Sequence, residues 1–495
     1  MNSKNNRSGL CNKGAISAYV LIAASIAVTL LTSLAIFVAS SQRRSSNEVS
    51  EQRALQHAEQ GIYYYKWYLA HNLDGKNPQQ IQDFWQNGSP VGVGSPYEHE
   101  VEDLEGNPVG KYKIEVTPPD PHSTIVDAVS SGWTYRHPDI VKKVKVRFRR
   151  PSWSEYSVLA NDVMRFGEGT SVYGPIHSNN GIRFDGTANN KVTSSVEEYY
   201  DPDTNSYKPG VWTSQSNEDE VFLAGKEYPV PIHDFNSVTS DLTLIKEEAQ
   251  ASGLFFDEDT YEKEECGWTF VGAPPPVWSH QCNMVEKEVE GYHFTLRADD
   301  KVEVRRVLDY GGADRPWDVE SYRINEETDA EVFDIPANGL IYANNHVWVD
   351  GEIDTARITI AAAKLNSYFD PDIYLNNDLT YTNKNGDDII GLIAENDISV
   401  GLYSENELEI NAALLAQKGR VGRNYYSSGL GSTVWRDEIT VYGSIATNER
   451  YGFAWTDGTG YDIRNLYFDN NLKYFPPPYF PTGTVYELDL WQDLK

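Results

Sequence analysis

The feature that most constrains this chain is an uncharged apolar stretch near its N-terminus. Residues 15–39 read AISAYVLIAASIAVTLLTSLAIFVA, a run of 25 residues without a charged side chain. At about 1.5 Å per helical residue the run extends roughly 37 Å, more than the ~30 Å hydrocarbon core of a bilayer. A helix also satisfies its own backbone polar groups in lipid. The stretch therefore predicts a helix that crosses a membrane once.

The residues on either side indicate how the stretch is used. Lys4, Arg7 and Lys13 precede it without an acidic residue, and basic residues favour the cytoplasmic side of a membrane. We therefore expect the large remainder of the chain outside the cytoplasm. The run is longer than the apolar region of a signal peptide, which spans about 7–15 residues. The alternative is a secreted form cut after Ser41.

The helical pattern continues beyond the apolar stretch. The apolar residues of 42–72 that recur at intervals of three and four are Leu55, Ala58, Ile62, Tyr65 and Leu69. This spacing places them on one face of a helix. We expect a single helix over residues 15–72, with a transmembrane segment at 15–39 followed by an amphipathic half.

These features resemble the N-terminus of a class III prepilin, and most of all the PilX-type minor pilins. The resemblance rests on the basic leader 1–14 ending in Gly14, the small residue Ala15, the apolar helix and the segment ALQHAEQGIYYYKWYL at 54–69. It implies that a prepilin peptidase cuts after Gly14 and methylates Ala15. It also implies that the helix contacts other pilin or pseudopilin subunits. Tyr19 stands where major pilins carry a glutamate, which implies a tip or low-copy role.

Composition bounds the remainder of the chain. With 495 residues, the chain is long enough for two or three domains. It carries 42 Lys and Arg against 73 Asp and Glu, for a net charge of −31. Such a surface repels nucleic acid, and we interpret the charge as a means of solubility outside a cell. The 32 Tyr and 12 Trp favour a β-rich fold.

Three strand patterns follow the helix. Residues 75–108 are rich in Gly, Pro, Asn and Gln and indicate a connection with many turns. Alternating patterns then predict strands over 111–117, 124–135 and 141–150. A helix followed by an antiparallel meander is, by resemblance, a pilin head, which we place at 73–150. Within it, we interpret the basic side chains of 142–150 as a solvated sheet face rather than a binding patch.

An irregular repeat begins near residue 158. The segments that share an apolar residue, then a small one, then a polar turn are GPIHSNNGI at 174–182, GLIYANNHV at 339–347, GLIAENDI at 391–398, ALLAQKGRV at 413–421 and GSIATN at 443–448. Stacked aliphatic residues with Asn or Gly at corners suit a right-handed parallel β-helix. We assign 151–190 and 335–495 to this solenoid. The alternative is a β-sandwich.

The two solenoid segments are separated by an insertion, residues 191–334, that we expect to be an α/β subdomain. It contains a helix pattern over 235–253, where Ser237, Thr239 or Ser240 would cap the helix and Asp241 would favour its first turn. A hairpin is predicted from alternation over 292–296 and 301–307. The overall expectation is an α+β fold.

Two of the three cysteines predict a disulfide. Cys11 belongs to the leader, whereas Cys266 and Cys282 enclose a loop rich in Pro and Trp. Thiols oxidise outside the cytoplasm, and closing a loop of about 15 residues removes ~3 kcal/mol of unfolded-state entropy. The alternatives are two free thiols, or a zinc site, which would lack ligands because only His280 lies nearby.

No catalytic or metal motif stands out. Asp370 with Asp372, and Asp387 with Asp388, occur in ordinary turn sequences. The acidic residues nearest the repeat turns are Glu395, Asp397, Asp437 and Glu438. The chain lacks H-E-x-x-H, G-x-S-x-G and P-loop patterns. We therefore predict no catalytic, cofactor or metal site.

These inferences predict a single-pass protein of the inner or cytoplasmic membrane. Its ectodomain would lie outside the cytoplasm or at the cell surface. The predicted role is that of a minor pilin-like subunit of a type IV pilus or pseudopilus, acting in filament assembly, adhesion or contact with a surface or glycan. The alternatives are a signal-anchored carbohydrate-active enzyme with a β-helix and a surface adhesin unrelated to pili.

Overall fold

The computed structural model describes residues 13–120, 123–233, 235, 238–271, 277–311, 320–483 and 485–494. The α-helices are α1 Lys13–Leu73, α2 Pro78–Gln86, α3 Glu218–Val221 and α4 Val238–Ser252. Short 3₁₀ turns cover Trp153–Glu155, Ser428–Leu430, Ser432–Val434 and Asn470–Lys473. The strands fall into a small antiparallel sheet next to α1 and a large body of mostly parallel strands.

The strand bounds follow in chain order. They are β1 Tyr97–Glu102, β2 Pro108–Thr117, β3 Ile125–Thr134, β4 His137–Arg149, β5 Val158–Ala160, β6 Met164–Phe166, β7 Thr170–Tyr173, β8 Ile176–Ser178, β9 Ile182–Phe184, β10 Thr187–Ala188, β11 Val192–Ser194, β12 Glu198–Asp201, β13 Ser206–Pro209, β14 Val211–Trp212, β15 Lys226–Glu227, β16 Leu254–Phe256 and β17 Thr260–Val271. They continue as β18 Val277–Glu288, β19 Gly291–Arg297, β20 Lys301–Tyr310, β21 Ile324–Glu327, β22 Glu331–Asp334, β23 Leu340–Ala343, β24 His346–Ile353, β25 Arg357–Ala362, β26 Ile373–Tyr374, β27 Leu379–Tyr381, β28 Ile389–Ala394, β29 Ile398–Val400, β30 Glu407–Ala416, β31 Val421–Arg423, β32 Trp435–Thr447, β33 Gly460–Phe468 and β34 Glu487–Leu494.

The second half of α1 packs on an antiparallel sheet, and the two together form the head. The sheet order is β1-β2-β3-β4-β34. Ala58, Ile62, Tyr65 and Leu69 of α1 are fully buried against it, as the spacing of apolar residues predicts. Leu55 is only partly buried because Ala54 occupies the buried position instead. Alternation along β4 buries Val144, Val146 and Phe148 in the same core.

The connection between α1 and β2 is more ordered than its composition suggests. It contains α2 and the edge strand β1. The Asn77 side-chain oxygen caps α2 by accepting a hydrogen bond from the Gln80 backbone amide, and the Gln80 side-chain oxygen accepts one from the Asn77 backbone amide. Pro78 occupies the first turn. This capping box was readable in the sequence and outweighs the turn-rich composition.

The last strand returns to the head. β34 pairs antiparallel with β4, from Glu487 opposite Arg149 to Leu494 opposite Lys143. The residues between β4 and β34 therefore form one long excursion out of the head sheet; we call residues 152–486 the parallel-strand body. The sequence pattern assigns these C-terminal residues to the solenoid, because a single short strand carries no sign of its distant partner.

Ten strands of the parallel-strand body form one continuous parallel ladder. Its spatial order is β16-β23-β25-β28-β30-β32-β5-β8-β11-β15. The chain thus enters in the middle, proceeds outward from β5 to β15, crosses through α4 to the opposite end, and returns from β16 to β32. Several strands of the 191–334 insertion consequently belong to the ladder itself.

The ladder buries both of its faces, which explains the repeat in the sequence. Alternate residues face the inner core, among them Ile341, Ile360, Leu392 and Leu414. Their neighbours form a second core with α4 and the C-terminal segment; its members include Leu340, Ile393, Leu415, Leu242 of α4 and Phe480. Because both faces are covered, the strands read as continuous apolar runs.

The observed registers refine the predicted repeat. Ala394 pairs with Ala416, as the repeat indicates, but Ala416 then pairs with Thr447 rather than with Ala446. The helix predicted at 235–253 is α4, Val238–Ser252. Its proposed cap Ser237 lies outside the described residues, as do the side chains of Thr239, Ser240 and Asp241. The predicted hairpin is formed by β19 and β20.

Candidate assembly interface

The first half of α1 is apolar and makes no contact that buries it within the chain. The helix from Ile16 onward is long and apolar enough to span a membrane, and its most apolar window is wholly unburied within the chain. Ile16, Leu21 and Phe37 are 66%, 70% and 68% exposed. An apolar surface of this extent is unfavourable in water. Such a surface is favourable only in an apolar environment, such as lipid or contact with other apolar side chains.

The few polar side chains in this half do not oppose burial in an apolar medium. Ser25, Thr29 and Ser33 donate hydrogen bonds to the carbonyl oxygens of Ile22, Ser25 and Leu30, at 2.8, 2.7 and 2.8 Å. Thr32 and Ser40 bond in the same way within the helix. Each of these hydroxyls is therefore satisfied without water, which lowers the cost of placing it in lipid or in a helix bundle.

The boundary between the two halves of α1 is marked by charge. Arg43 and Arg44 follow the apolar stretch after three intervening residues and are exposed. Long basic side chains at the end of a span can extend to the polar membrane interface. From Ser50 onward, one side of the helix is buried against the head. A single helix thus joins an unpaired apolar surface to a folded domain.

The predicted processing site lies at the start of this helix. Gly14 and Ala15 fall within α1, whereas residues 1–12 of the leader, including Cys11, lie outside the described residues. Tyr19 follows on the apolar surface and is 72% exposed. Tyr19, which the sequence resemblance places at the glutamate position of major pilins, presents an aromatic ring among exposed apolar side chains.

Small residues hold α1 close to the sheet. A Cβ atom on Gly132 of β3 would lie 2.3 Å from the Ala54 carbonyl oxygen and 2.4 Å from the Ala58 nitrogen. On the helix, a Cβ on Gly61 would lie 2.2 Å from the Ser130 hydroxyl oxygen. At both glycines the helix and the sheet lie too close together for a side chain to fit between them. The helix is therefore fixed against the head at short range.

The head is joined to the parallel-strand body by ionic and backbone contacts. Arg149 of β4 bonds to Glu155, and its Nε lies 3.6 Å from Asp489 Oδ1. Lys473 reaches the same Asp489 carboxylate at 3.2 Å. The Thr124 amide of the head donates to the Tyr474 carbonyl oxygen of the body at 3.4 Å. These contacts hold the head and the parallel-strand body together at the two points where the chain passes between them, after β4 and before β34.

The acidic residues singled out in the sequence brace turns. Asp388 is fully buried and accepts hydrogen bonds from the Thr382 hydroxyl and the Asn383 amide at 2.9 and 2.7 Å. Asp372 accepts from the Tyr374 hydroxyl, and Asp397 accepts from the Arg420 amide. Burial raises the pKa of both Asp372 and Asp397.

The other acidic residues of this set also have bonded partners. Asp370 and Glu395 both bind Lys418. Asp387 accepts from the Asn385 side-chain amide, Asp437 from that of Asn406, and Glu438 from that of Asn465. In the structure these carboxylates hold turns and neighbouring coils together.

Cys266 and Cys282 form the predicted disulfide, with a Cα–Cα distance of 4.0 Å. The segment that contains them is not an irregular loop, however. β17 and β18, each twelve residues long, pair as an antiparallel hairpin in which the two cysteines lie directly opposite each other. Their sulfur atoms lie within 4.8 Å of a His280 nitrogen. Because the thiols are bonded to each other, they offer no thiolate to a metal.

Comparison with known proteins adds little to this description. No protein-family model matches the sequence, and no curated protein matches it. Among solved structures, the chain resembles the crystal structure of the competence-associated pilin ComZ from Thermus thermophilus, with a TM-score of 0.30 and 12% identity. The alignment covers 90% of this chain and 97% of that one. At this level of similarity, the functional inference rests on the residues of the chain itself.

Proposed function

We propose that the protein is a membrane-anchored, pilin-like subunit in which α1 acts as both anchor and assembly element. The observation that carries this proposal is the division of one continuous helix into an exposed apolar half and a half packed on a sheet. The apolar half resides in the bilayer before assembly and among the apolar helices of neighbouring subunits afterwards. Both environments remove the apolar half from water, and the intrahelical hydrogen bonds of its hydroxyl groups lower the cost of this transfer.

The proposal includes a minor, PilX-like role with processing between Gly14 and Ala15. A prepilin peptidase removes the basic leader, and the new N-terminus begins the apolar surface. Tyr19 supports a low-copy or tip position, because a subunit without the carboxylate at that position cannot pair it with a neighbour's terminal amine. The orientation places the head and the parallel-strand body outside the cytoplasm, in keeping with the disulfide.

We further propose that the parallel-strand body is a right-handed parallel β-helix that serves contact rather than catalysis. Its support is the ten-strand parallel ladder with stacked aliphatic residues on its inner side. The acidic residues singled out in the sequence are engaged in intramolecular turn contacts, which favours a structural role for them over a catalytic one. Its return to the head through β34 makes it part of the subunit rather than a detachable appendage.

Site-specific photo-crosslinking in the host membrane tests the assembly role. Leu34 lies on the apolar half of α1 and is 58% exposed, and Tyr207 on the distant β13 is 73% exposed and serves as the control. With p-benzoylphenylalanine at Leu34, we expect ultraviolet-dependent adducts to another protein that has an apolar N-terminal helix. We expect no such adduct from Tyr207. Recovery of the chain in the soluble fraction, or adducts from Tyr207 alone, would contradict the proposal.

A further inference from the structure

The parallel-strand body contains a large cleft. It lies where coils from the outward path of the chain, which begins at β5, meet coils from its return path, which ends after β32. It has a volume of about 850 Å³, within the range of roughly 300–1,000 Å³ that is usual for small-ligand sites. Its walls come from the segment after β5, the loop between β32 and β33, and the excursion that carries β12 and β13. The cleft therefore forms only when distant coils stack against each other.

The charge of the cleft differs from that of the rest of the chain. Its lining contains five guanidinium groups and six carboxylates, whereas the whole chain has 42 basic and 73 acidic residues. Every basic residue that lines the cleft is an arginine. A nearly balanced site disfavours a strongly anionic or cationic ligand. Arginine side chains offer several hydrogen-bond donors, and carboxylates offer acceptors, to the hydroxyl groups of an uncharged ligand.

Hydrogen bonds within the protein hold several charged side chains of the cleft in place. Asp203 accepts hydrogen bonds from Arg165 and from Arg450, at 3.0 and 3.2 Å. Burial acts to raise the pKa of Asp203, but Arg450 and Arg165 outweigh it and lower that pKa. Arg183 is likewise bonded to Asp185 at 2.7 Å. Each pair retains further donor and acceptor positions, so the wall is both ordered and able to bond.

Aromatic side chains also line the cleft. Trp455 is 37% exposed, and its ring lies under the Arg420 guanidinium at 5.5 Å. Its indole nitrogen donates to the Arg423 carbonyl oxygen at 3.2 Å, which fixes the ring orientation. Tyr451 also lines the cleft, and its buried hydroxyl has no hydrogen-bond partner among the described residues. The cleft thus combines an oriented flat ring with fixed polar groups.

We propose that this cleft binds a neutral oligosaccharide, with Trp455 stacking on a sugar ring and the Arg450–Asp203–Arg165 network bonding to its hydroxyl groups. Sugar rings present an apolar C–H face and a polar edge, and the cleft presents one surface suited to each. This site goes beyond the assembly role of α1 and does not depend on it. It gives the parallel-strand body a specific ligand class.

A glycan array followed by titration tests this proposal. The probe is the full-length protein in a detergent without a sugar headgroup, applied to an array of neutral and acidic oligosaccharides. We expect selective binding to neutral glycans. For the strongest neutral ligand, Trp455→Ala should weaken the affinity at least about tenfold, and Trp455→Phe should restore part of it because the ring is retained.

The matched control is Trp268→Ala, since Trp268 is 65% exposed on the distant disulfide hairpin. This control should bind the neutral ligand as the wild type does, and circular dichroism should show the same fold for all variants. Absence of binding to any neutral glycan would overturn the proposal. A preference for acidic glycans, or an affinity that Trp455→Ala leaves unchanged, would overturn it as well.

Discussion

At the scale of single residues, Gly132 determines how closely α1 approaches the head sheet. A methyl group there would collide with the helix backbone at the Ala54 oxygen and the Ala58 nitrogen. Backbone atoms cannot move aside as a flexible side chain can. We therefore expect Gly132→Ala to lower the free energy of unfolding of the head by about 3 kcal/mol, at the upper end of overpacking effects.

Chemical denaturation followed by the near-ultraviolet signal of the head aromatic residues measures this effect. Gly267→Ala is the control, because a Cβ atom at Gly267 would meet no heavy atom within 4 Å. The control should leave the denaturation midpoint of the head unchanged. Equal stability of the Gly132→Ala variant and the wild type would show that α1 does not pack as described.

His293 is a second residue with a specific role, because two carboxylates hold it. Its Nδ1 lies 2.8 Å from Glu327 and its Nε2 lies 3.1 Å from Asp350. Burial alone would lower the pKa of His293, but hydrogen bonds to Asp350 and Glu327 outweigh burial and raise it to about 9. The folded protein therefore retains the charged imidazolium to higher pH than the unfolded chain.

The sign of the resulting pH dependence follows from this raised pKa. The stabilisation is fully present below the unfolded pKa of about 6.5 and is lost as the pH rises through about 9. We expect His293→Gln to reduce the free energy of unfolding at pH 6 by on the order of 3 kcal/mol, at about 1.4 kcal/mol per pKa unit. The difference from the wild type should shrink as the pH approaches 10.

Urea unfolding at pH 6, 8 and 10 measures the His293 contribution. His280→Gln, on the exposed disulfide hairpin, provides the control for the substitution itself. A difference between His293→Gln and the wild type that grows with rising pH would contradict the assigned charge state.

At the scale of elements, the disulfide hairpin is held by its own cross-link. β17 and β18 form a separate two-stranded sheet, and an isolated hairpin is marginally stable in water. We expect replacement of Cys266 and Cys282 by Ser to lower the free energy of local opening of the hairpin by up to about 3 kcal/mol. The global unfolding transition should change little.

Hydrogen exchange read by mass spectrometry distinguishes local from global effects. Peptides of β17 and β18 should exchange faster in the double variant, while peptides of the ladder strands β25, β28 and β30 should keep their protection. Unchanged exchange in the hairpin would show that its strands are held by contacts other than the disulfide.

Several elements were readable from sequence because their signals are local. The apolar spacing of α1 and the alternation in β2 and β4 predict elements whose partners lie nearby in the chain. The α2 capping box at Asn77 and Gln80 was equally local, but the surrounding turn residues obscured it. The sequence does not predict the hairpin at 260–288, because the hydrophobic residues of its two strands do not alternate regularly. The strands are instead aligned by the disulfide, which joins two residues that lie directly opposite each other.

At the scale of the whole molecule, the order in which coils stack could not be predicted from sequence. β5 follows β4 directly in the chain but lies beside β32 in the ladder. No local pattern specifies this arrangement, since all of the coils bury similar aliphatic residues. The same holds for β34, whose pairing with β4 joins residues about 340 positions apart.

The cleft illustrates why a binding site of this kind is hard to find in a sequence. Arg450 and Asp203 are 247 residues apart, yet their side chains are hydrogen-bonded in the cleft wall. Neither residue belongs to a recognisable motif. By contrast, the exposed apolar surface of α1 is contiguous in sequence, so its extent and chemistry follow from the apolar run alone.

The central claim is that α1 is a processed pilin-type helix whose apolar surface begins at Ala15. Mass spectrometry of the intact N-terminus, on protein purified from the membranes of its own host, tests this claim most directly. We predict a mature chain that begins with N-methylated Ala15 and lacks the leader through Gly14. The matched variant Gly14→Trp should retain the leader. A wild-type chain that begins at Met1 or at Gln42 would contradict the account.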